Sequence, residues 1–276
     1  MTYGSKATTC WSKFSSNLPE LPEAETIARS LREAVRGRKI VSAVFLAKRV
    51  SPHDPGRLPG RTIRNVARHG KQLLLELDLG FLHVKLGMTG ALLVNGVRGA
   101  HTRAVFELDD GSHLLFDDIR QFGSLRLVDA PPGSLGPDPL EMSAAEFAAR
   151  LRTRRGKLKP LLLNQGFMRG LGNIYVDEAL HRAGLHPLAI AERLKAGRAE
   201  ALHGAIVELL HEAIAHRGSS ISDYVDAAGE RGSFQKLHRV YGRQGEPCRQ
   251  CGEAIRRIVV AQRGTHYCPV CQVARR

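Results

Sequence analysis

Cys248-Arg249-Gln250-Cys251 and Cys268-Pro269-Val270-Cys271 stand sixteen residues apart near the end of the chain, giving the pattern Cys-x2-Cys-x16-Cys-x2-Cys. Two such pairs offer four thiolates for the corners of a tetrahedron, the arrangement of a structural zinc site. Four thiolates fill the coordination sphere and leave no position for a reacting water, so one structural Zn2+ is expected. Its binding, on the order of 10–16 kcal/mol, replaces a core that so short a segment cannot build. The β-prone run Ile255 to Ala261 predicts a hairpin between the pairs, hence a zinc ribbon. Disulfides and a redox pair are the competing uses of this spacing, and residues Met1 to Leu18 lack the apolar stretch of a secretory signal that would favour the former. Cys10 stands apart and reads as a free thiol.

Around the cysteines the charge is strongly biased. The 276 residues carry 41 Lys and Arg against 27 Asp and Glu, a net charge of +14. From Gly229 onward there are ten basic side chains and three acidic ones, so half of the excess lies in the last 48 residues. A polyanionic partner is expected. Hydrophobic residues at 43% and charged ones at 25% are ordinary for a globular chain and exclude collagen-like, coiled-coil and disordered classes. No apolar run approaches the ~18 residues of a spanning helix, so a soluble, non-membrane protein is expected.

Outward from the cysteine box, the organisation reads as α+β with several domains. Ala24, Ile27, Ala28, Leu31 and Val35 fall on one helical face, with Glu23 and Glu25 in the first turn and Gly37 at the end. Short strand-like runs follow at Ile40 to Val50, Thr62 to Val66, Gln72 to Leu79, Phe81 to Leu86, Ala104 to Leu108, His113 to Phe116 and Ser124 to Val128. They predict an antiparallel β domain over 19–130, and the Pro- and Gly-rich stretch 131–142 reads as a linker. Helical patterning resumes at Ser143, a candidate N-cap with Glu146 closing a capping box. It continues through Lys157 to Asn164, Gly172 to Ala183 and Arg198 to Arg217, predicting a helical domain over 143–238. The polar segment Gly218 to Gly232 is long enough to be a functional loop. The zinc segment occupies 239–276.

Six motifs in order carry a resemblance. They are Pro19-Glu20-Leu21-Pro22-Glu23-Ala24-Glu25-Thr26, Arg68-His69-Gly70-Lys71-Gln72, Leu86-Gly87-Met88-Thr89-Gly90, Asp118-Ile119-Arg120-Gln121-Phe122-Gly123, Gly170-Leu171-Gly172-Asn173-Ile174-Tyr175-Val176-Asp177-Glu178, and the four cysteines. From Pro19 to Gln272 the chain resembles the formamidopyrimidine-DNA glycosylases. The resemblance implies an N-terminal antiparallel β-sandwich with a flanking helix, a helix-two-turns-helix domain and a C-terminal zinc-ribbon hairpin. It implies excision of oxidised purines from damaged double-stranded DNA, followed by cleavage at the abasic site. It also implies bacterial base-excision repair in the cytoplasm, on the nucleoid, and a monomer is expected.

The matching residues fit these roles chemically. Pro19, as a free N-terminus, is a secondary amine with a pKa of about 8 and can attack C1′ of the lesion nucleotide. The resemblance makes Glu20 the acid that protonates the opening sugar, Lys71 the proton donor on the lesion side, and Arg263 a phosphate ligand and donor for δ-elimination. Glu23 orients the terminus. Met88, Arg120 and Phe122 match the trio that fills the void left by an everted base. His101, Arg155, Lys159 and Asn173 complete the implied backbone clamp, Asn173 from a helix start suited to phosphate. Ser219 to Phe234 resembles the segment that caps the flipped purine.

Gln121, Ile119 and His69 depart from the family pattern without removing a reacting group. The preceding residues do remove one, because Pro19 inside a chain is a tertiary amide. Translation is therefore expected to start at position 18, its codon read as methionine, with methionine removal exposing Pro19 and residues 1–18 absent from the mature protein. An endonuclease VIII-like enzyme for oxidised pyrimidines and a catalytically blocked lesion-binding protein remain the alternatives; Leu21 and the long capping segment favour purines.

Overall fold

The computed structural model describes residues 19–221 and 224–273. The expected extension 1–18 lies outside the described residues. The first helix, α1 (Leu21–Val35), buries Ala24, Ile27, Ala28, Leu31 and Val35, the face that the spacing predicts. It opens with the Glu23 carboxylate accepting from the Glu20 backbone N–H at 2.8 Å. A capping box is expected at Ser143 and Glu146, where Ser143 Oγ does accept from Glu146 N at 3.2 Å.

Eight strands follow: β1 (Ile40–Phe45), β2 (Ile63–His69), β3 (Gln72–Leu77), β4 (Phe81–Lys85), β5 (Gly90–Val94), β6 (Thr102–Leu108), β7 (His113–Asp118) and β8 (Ser124–Val128). They make two four-stranded antiparallel sheets, β1-β6-β7-β5 and β2-β3-β4-β8. Ile40, Phe106 and Phe116 of the first share a core with Val66, Leu75 and Val84 of the second, and α1 packs into the same core. This is a β-sandwich with a flanking helix. β5 is the strand that the apolar pattern missed. Its run Ala91–Val94 is four residues long and sits between glycine-rich turns, so it reads as part of the preceding loop.

The second half holds α2 (Ala144–Arg152), α3 (Leu158–Leu163), α4 (Asn173–Arg182) and α5 (Ala196–Ala215) around Phe147, Leu162, Tyr175, Leu202 and Leu209. Leu21, at the start of α1, belongs to this second core while the rest of α1 belongs to the first. One helix therefore joins the cores of both halves. Asp138 fastens the connecting stretch: it accepts from Arg68 Nη1 at 2.6 Å and from Arg169 Nε at 3.3 Å. Arg68 also pairs with Glu25 of α1 at 2.8 Å.

The zinc segment forms a hairpin, β9 (Arg256–Val260) and β10 (Arg263–Tyr267), paired antiparallel from Arg263 with Val260 to Tyr267 with Arg256. Helix α4 anchors it. Glu178 accepts from the backbone N–H of Arg239, Val240 and Tyr241 at 2.9, 2.9 and 2.8 Å. Asp177 accepts from His266 N at 2.8 Å and from Lys159 Nζ at 2.6 Å.

Candidate active site

Glu20 is fixed where α1 meets α4. Its Oε1 accepts from Ile174 N at 3.0 Å and its Oε2 faces Tyr175 N at 3.4 Å, so the group seated on the N-terminus of α4 is a side chain of this protein. Gly172 makes this possible, since a Cβ there would collide with the Glu20 carboxyl carbon. Burial pushes the Glu20 carboxyl up from its ordinary 4.5 to about 7, against the opposing pull of Lys71. Two N–H donors at a helix start favour the ionised form, yet desolvation outweighs them. A carboxyl that titrates near 7 can give and retake a proton at neutral pH.

Beside it Glu23 is the centre of a buried network. It accepts from Glu20 N, from Tyr175 Oη at 2.5 Å and from Ser219 N at 2.7 Å. Ser219 Oγ then meets His238 Nε2 at 3.0 Å. Burial raises the Glu23 pKa, while these hydrogen bonds lower it. Glu23 thus fixes the backbone N–H that immediately follows Pro19. Tyr175, Ser219 and His238 carry no sequence signal for this task, because their partners lie on other elements.

Lys71 follows Gly70 in the two-residue loop that joins β2 to β3, with Gly70 at φ 66 as such hairpins require. Burial pushes its pKa down, and the nearby carboxylates of Glu20 and Glu23 push it up. Arg263 acts on the same ammonium with a like charge, and its neighbour Gly264 accepts from Asn173 Nδ2 at 3.0 Å, which holds the β9–β10 tip at the start of α4. That tip is strained: Ala261 and Gln262 both have positive φ, 48 and 59, in a turn where glycine or asparagine is usual.

Met88, Arg120 and Phe122 come together. Arg120 Nη1 donates to Met88 Sδ at 3.2 Å, and its guanidinium lies 4.7 Å from the Phe122 ring centroid. Phe122 is nevertheless 52% exposed. Asp118, fully buried, shapes both loops: it accepts from Thr89 Oγ1 at 2.5 Å and from Gly123 N at 2.8 Å. Gly87 lets the loops touch, since a Cβ there would lie 2.7 Å from the Phe122 carbonyl carbon.

The clamp residues divide. His101 is exposed and Arg155 nearly fully so. Lys159, expected to meet phosphate, is placed differently. Its side chain is fully buried, donating to Asp177 Oδ1 at 2.6 Å and to Gly264 O at 3.2 Å. Asn173 Nδ2 donates to the same carbonyl at 3.0 Å. Both residues position the strand that carries Arg263, and the N-terminus of α4 is taken by Glu20. Lys159→Ala is expected to cost about 3–5 kcal/mol of unfolding free energy, because it breaks a buried ion pair by removing one partner. Urea unfolding measures this; an unchanged midpoint with a flatter salt dependence of DNA binding would return Lys159 to the clamp.

The four cysteine sulfurs lie within 4.8 Å of one another. Cys248 and Cys271 are 3.9 Å apart and Cys251 and Cys268 3.4 Å, too far for a disulfide. A tetrahedron with 2.3 Å metal–sulfur bonds has edges of about 3.8 Å, so the cluster fits one structural zinc. Cys248→Ser, or stripping with a chelator, is expected to release the metal and lose the β9–β10 amide dispersion in a 1H–15N spectrum.

Comparison with known proteins decides the family. Residues 18–125 match the formamidopyrimidine-DNA glycosylase N-terminal domain, residues 135–225 the H2TH domain of the same enzymes, and residues 245–273 the zinc finger found in FPG and IleRS. The chain belongs to the formamidopyrimidine-DNA glycosylase family. It is 51% identical over 264 residues to the formamidopyrimidine-DNA glycosylase of Solibacter usitatus, covering 92% of this chain and 99% of that one. The Chloroflexus aggregans enzyme is 44% identical over 272 residues, covering 93% and 99%. Among solved structures, the MutM (FPG) protein of Thermus thermophilus superposes with a TM-score of 0.84 at 41% identity, covering 92% and 98%. The Lactococcus lactis Fpg in complex with abasic-site DNA gives 0.85 at 36%, covering 92% and 100%. Family membership makes this chain a DNA-repair glycosylase with a helix-two-turns-helix domain and a structural zinc finger. No described helix is long and apolar enough to cross a membrane.

Proposed function

We propose that this glycosylase removes oxidised purines, 8-oxoguanine and formamidopyrimidines, from damaged double-stranded DNA and then cuts the strand by β- and δ-elimination. The single observation that carries the reading is Glu20: a carboxyl next to Pro19, buried, locked onto α4 and titrating at about 7. Such a group supplies the proton that opens the deoxyribose ring as the Pro19 nitrogen attacks C1′ and the base departs. The resulting iminium withdraws electrons, so the C2′ proton becomes acidic. Its loss expels the 3′ phosphate, and a second proton loss expels the 5′ phosphate.

Lys71 works on the lesion side, and its burial-lowered pKa eases donation of a proton to a leaving group. Glu23 holds the Glu20 N–H and thereby the adjoining proline. Met88 and Phe122 fill the stack, and Arg120 hydrogen-bonds the orphaned base. Arg263, with the exposed His101 and Arg155, grips phosphate. Residues 219–234 cap the everted purine. The active form begins at Pro19, works as a monomer and resides in the cytoplasm.

Single-turnover excision from duplexes with 8-oxoguanine, formamidopyrimidine or thymine glycol tests the lesion class. Purine lesions are expected to be cut faster; preference for thymine glycol would favour the pyrimidine-directed alternative. Arg263→Ala is expected to weaken binding across all sequences and reduce the slope of log K against log salt by about one. An unchanged slope would remove Arg263 from the interface.

A further inference from the structure

Helix α4 carries three buried polar side chains on the face it turns to the zinc segment: Asp177, Glu178 and His181. The first two hold the backbone of that segment, as described above. His181 Nε2 lies 3.4 Å from Cys248 Sγ, and His181 Nδ1 is buried with no hydrogen-bond partner. Cys248 is itself buried.

A metal-bound cysteine is a thiolate, so its sulfur only accepts hydrogen bonds. Four thiolates around a divalent zinc leave a net charge of −2, which needs donors where water is excluded. A neutral imidazole has one N–H. With the proton on Nδ1, the Nε2 lone pair would oppose the sulfur, and a buried N–H would go unpaired. With it on Nε2, one charge-assisted bond forms and a bare nitrogen remains, the cheaper arrangement. Gln250 N also points at Cys248 Sγ, at 3.5 Å, but it comes from within the knuckle. His181 comes from a different element.

We propose that the Nε2–H of His181 donates to the Cys248 thiolate, making α4 an outer-sphere anchor of the zinc site that slows the departure of the metal. The first turn of the same helix holds Glu20 through Ile174 N. About two helical turns, roughly 10 Å, separate the two attachments, so zinc hairpin and carboxyl share one rigid rod. His181 is a positioning residue acting through Cys248.

Two measurements test this without reading base excision, so they stand or fall apart from the proposed activity. In the 113Cd-substituted, otherwise unaltered chain, the His181 Nε2 proton is expected to be seen and to show scalar coupling to cadmium through the sulfur. An Nε2 resonating as unprotonated nitrogen overturns the proposal. In the zinc protein, release to 4-(2-pyridylazo)resorcinol is expected to be about tenfold faster or more for His181→Phe, while His181→Gln, whose amide replaces the Nε2–H, stays within about threefold. Equal rates in all three proteins, or a glutamine variant as fast as the phenylalanine one, overturn it too. If His181→Phe does not fold, the cadmium spectrum decides alone.

Discussion

A chain that begins at Pro19 is expected to be captured covalently on abasic-site DNA by borohydride, whereas the 276-residue chain is not. The difference lies in one nitrogen. With Leu18 attached, the proline nitrogen is a tertiary amide whose lone pair is delocalised into the carbonyl, so it neither attacks C1′ nor forms an imine. Freed, it is a secondary amine with a pKa of about 8, and roughly a tenth of it is neutral at pH 7. The surroundings are already set for it, because Glu23 holds the next N–H at 2.8 Å and Glu20 stands on the start of α4. Strand cutting should follow trapping, falling to background in the longer chain. Lys71 is the other amine at this site, with its pKa pushed down by burial. The experiment therefore includes Lys71→Ala in both chain lengths. An adduct formed by the 276-residue chain and abolished by Lys71→Ala would move the nucleophile to the lysine. Mass measurement of the native protein shows which N-terminus the cell makes.

What the sequence made legible was local. The apolar spacing of α1 and the cysteine spacing each express a constraint within a short stretch, and each appears as read. The surroundings of Lys159 were not legible for the opposite reason. The resemblance places it in the phosphate clamp, while Asp177, the partner beside which it is buried, lies on another helix. Asn173 reads as a phosphate-facing helix start, yet its amide is used by Gly264, 91 residues away. The Tyr175–Glu23–Ser219–His238 network joins distant stretches through single hydrogen bonds, and no periodicity records such pairings. Asp118 sits inside a motif that was read for Arg120 and Phe122, although it is the buried acceptor that shapes both loops. Motif resemblance finds groups that meet substrate; groups that hold them are found by tracing where each buried donor goes.

Glu20→Gln separates those two kinds of role within one residue. If Glu20 transfers the proton, its loss should slow single-turnover excision by about 10^2–10^4-fold. The wild-type acid form exists below the carboxyl's pKa of about 7 and the neutral Pro19 amine gains ground up to about 8, so the excision step should level off between these values and decline at higher pH, and the glutamine variant should lose this falling limb. Stability should move the other way. The folded carboxyl keeps its proton up to about 7, whereas the unfolded one loses it near 4.5. Between those values the folded state binds more protons, so stability falls as pH rises across the window and the deficit is complete above 7. A shift of this size corresponds to about 3 kcal/mol, and glutamine, which cannot ionise, escapes it. Thermal melts at pH 8 should therefore place Glu20→Gln at or above the wild type while its excision is nearly gone. A variant that loses activity and melting temperature together would assign Glu20 to holding the start of α4, and the proton would have to come from elsewhere in the site.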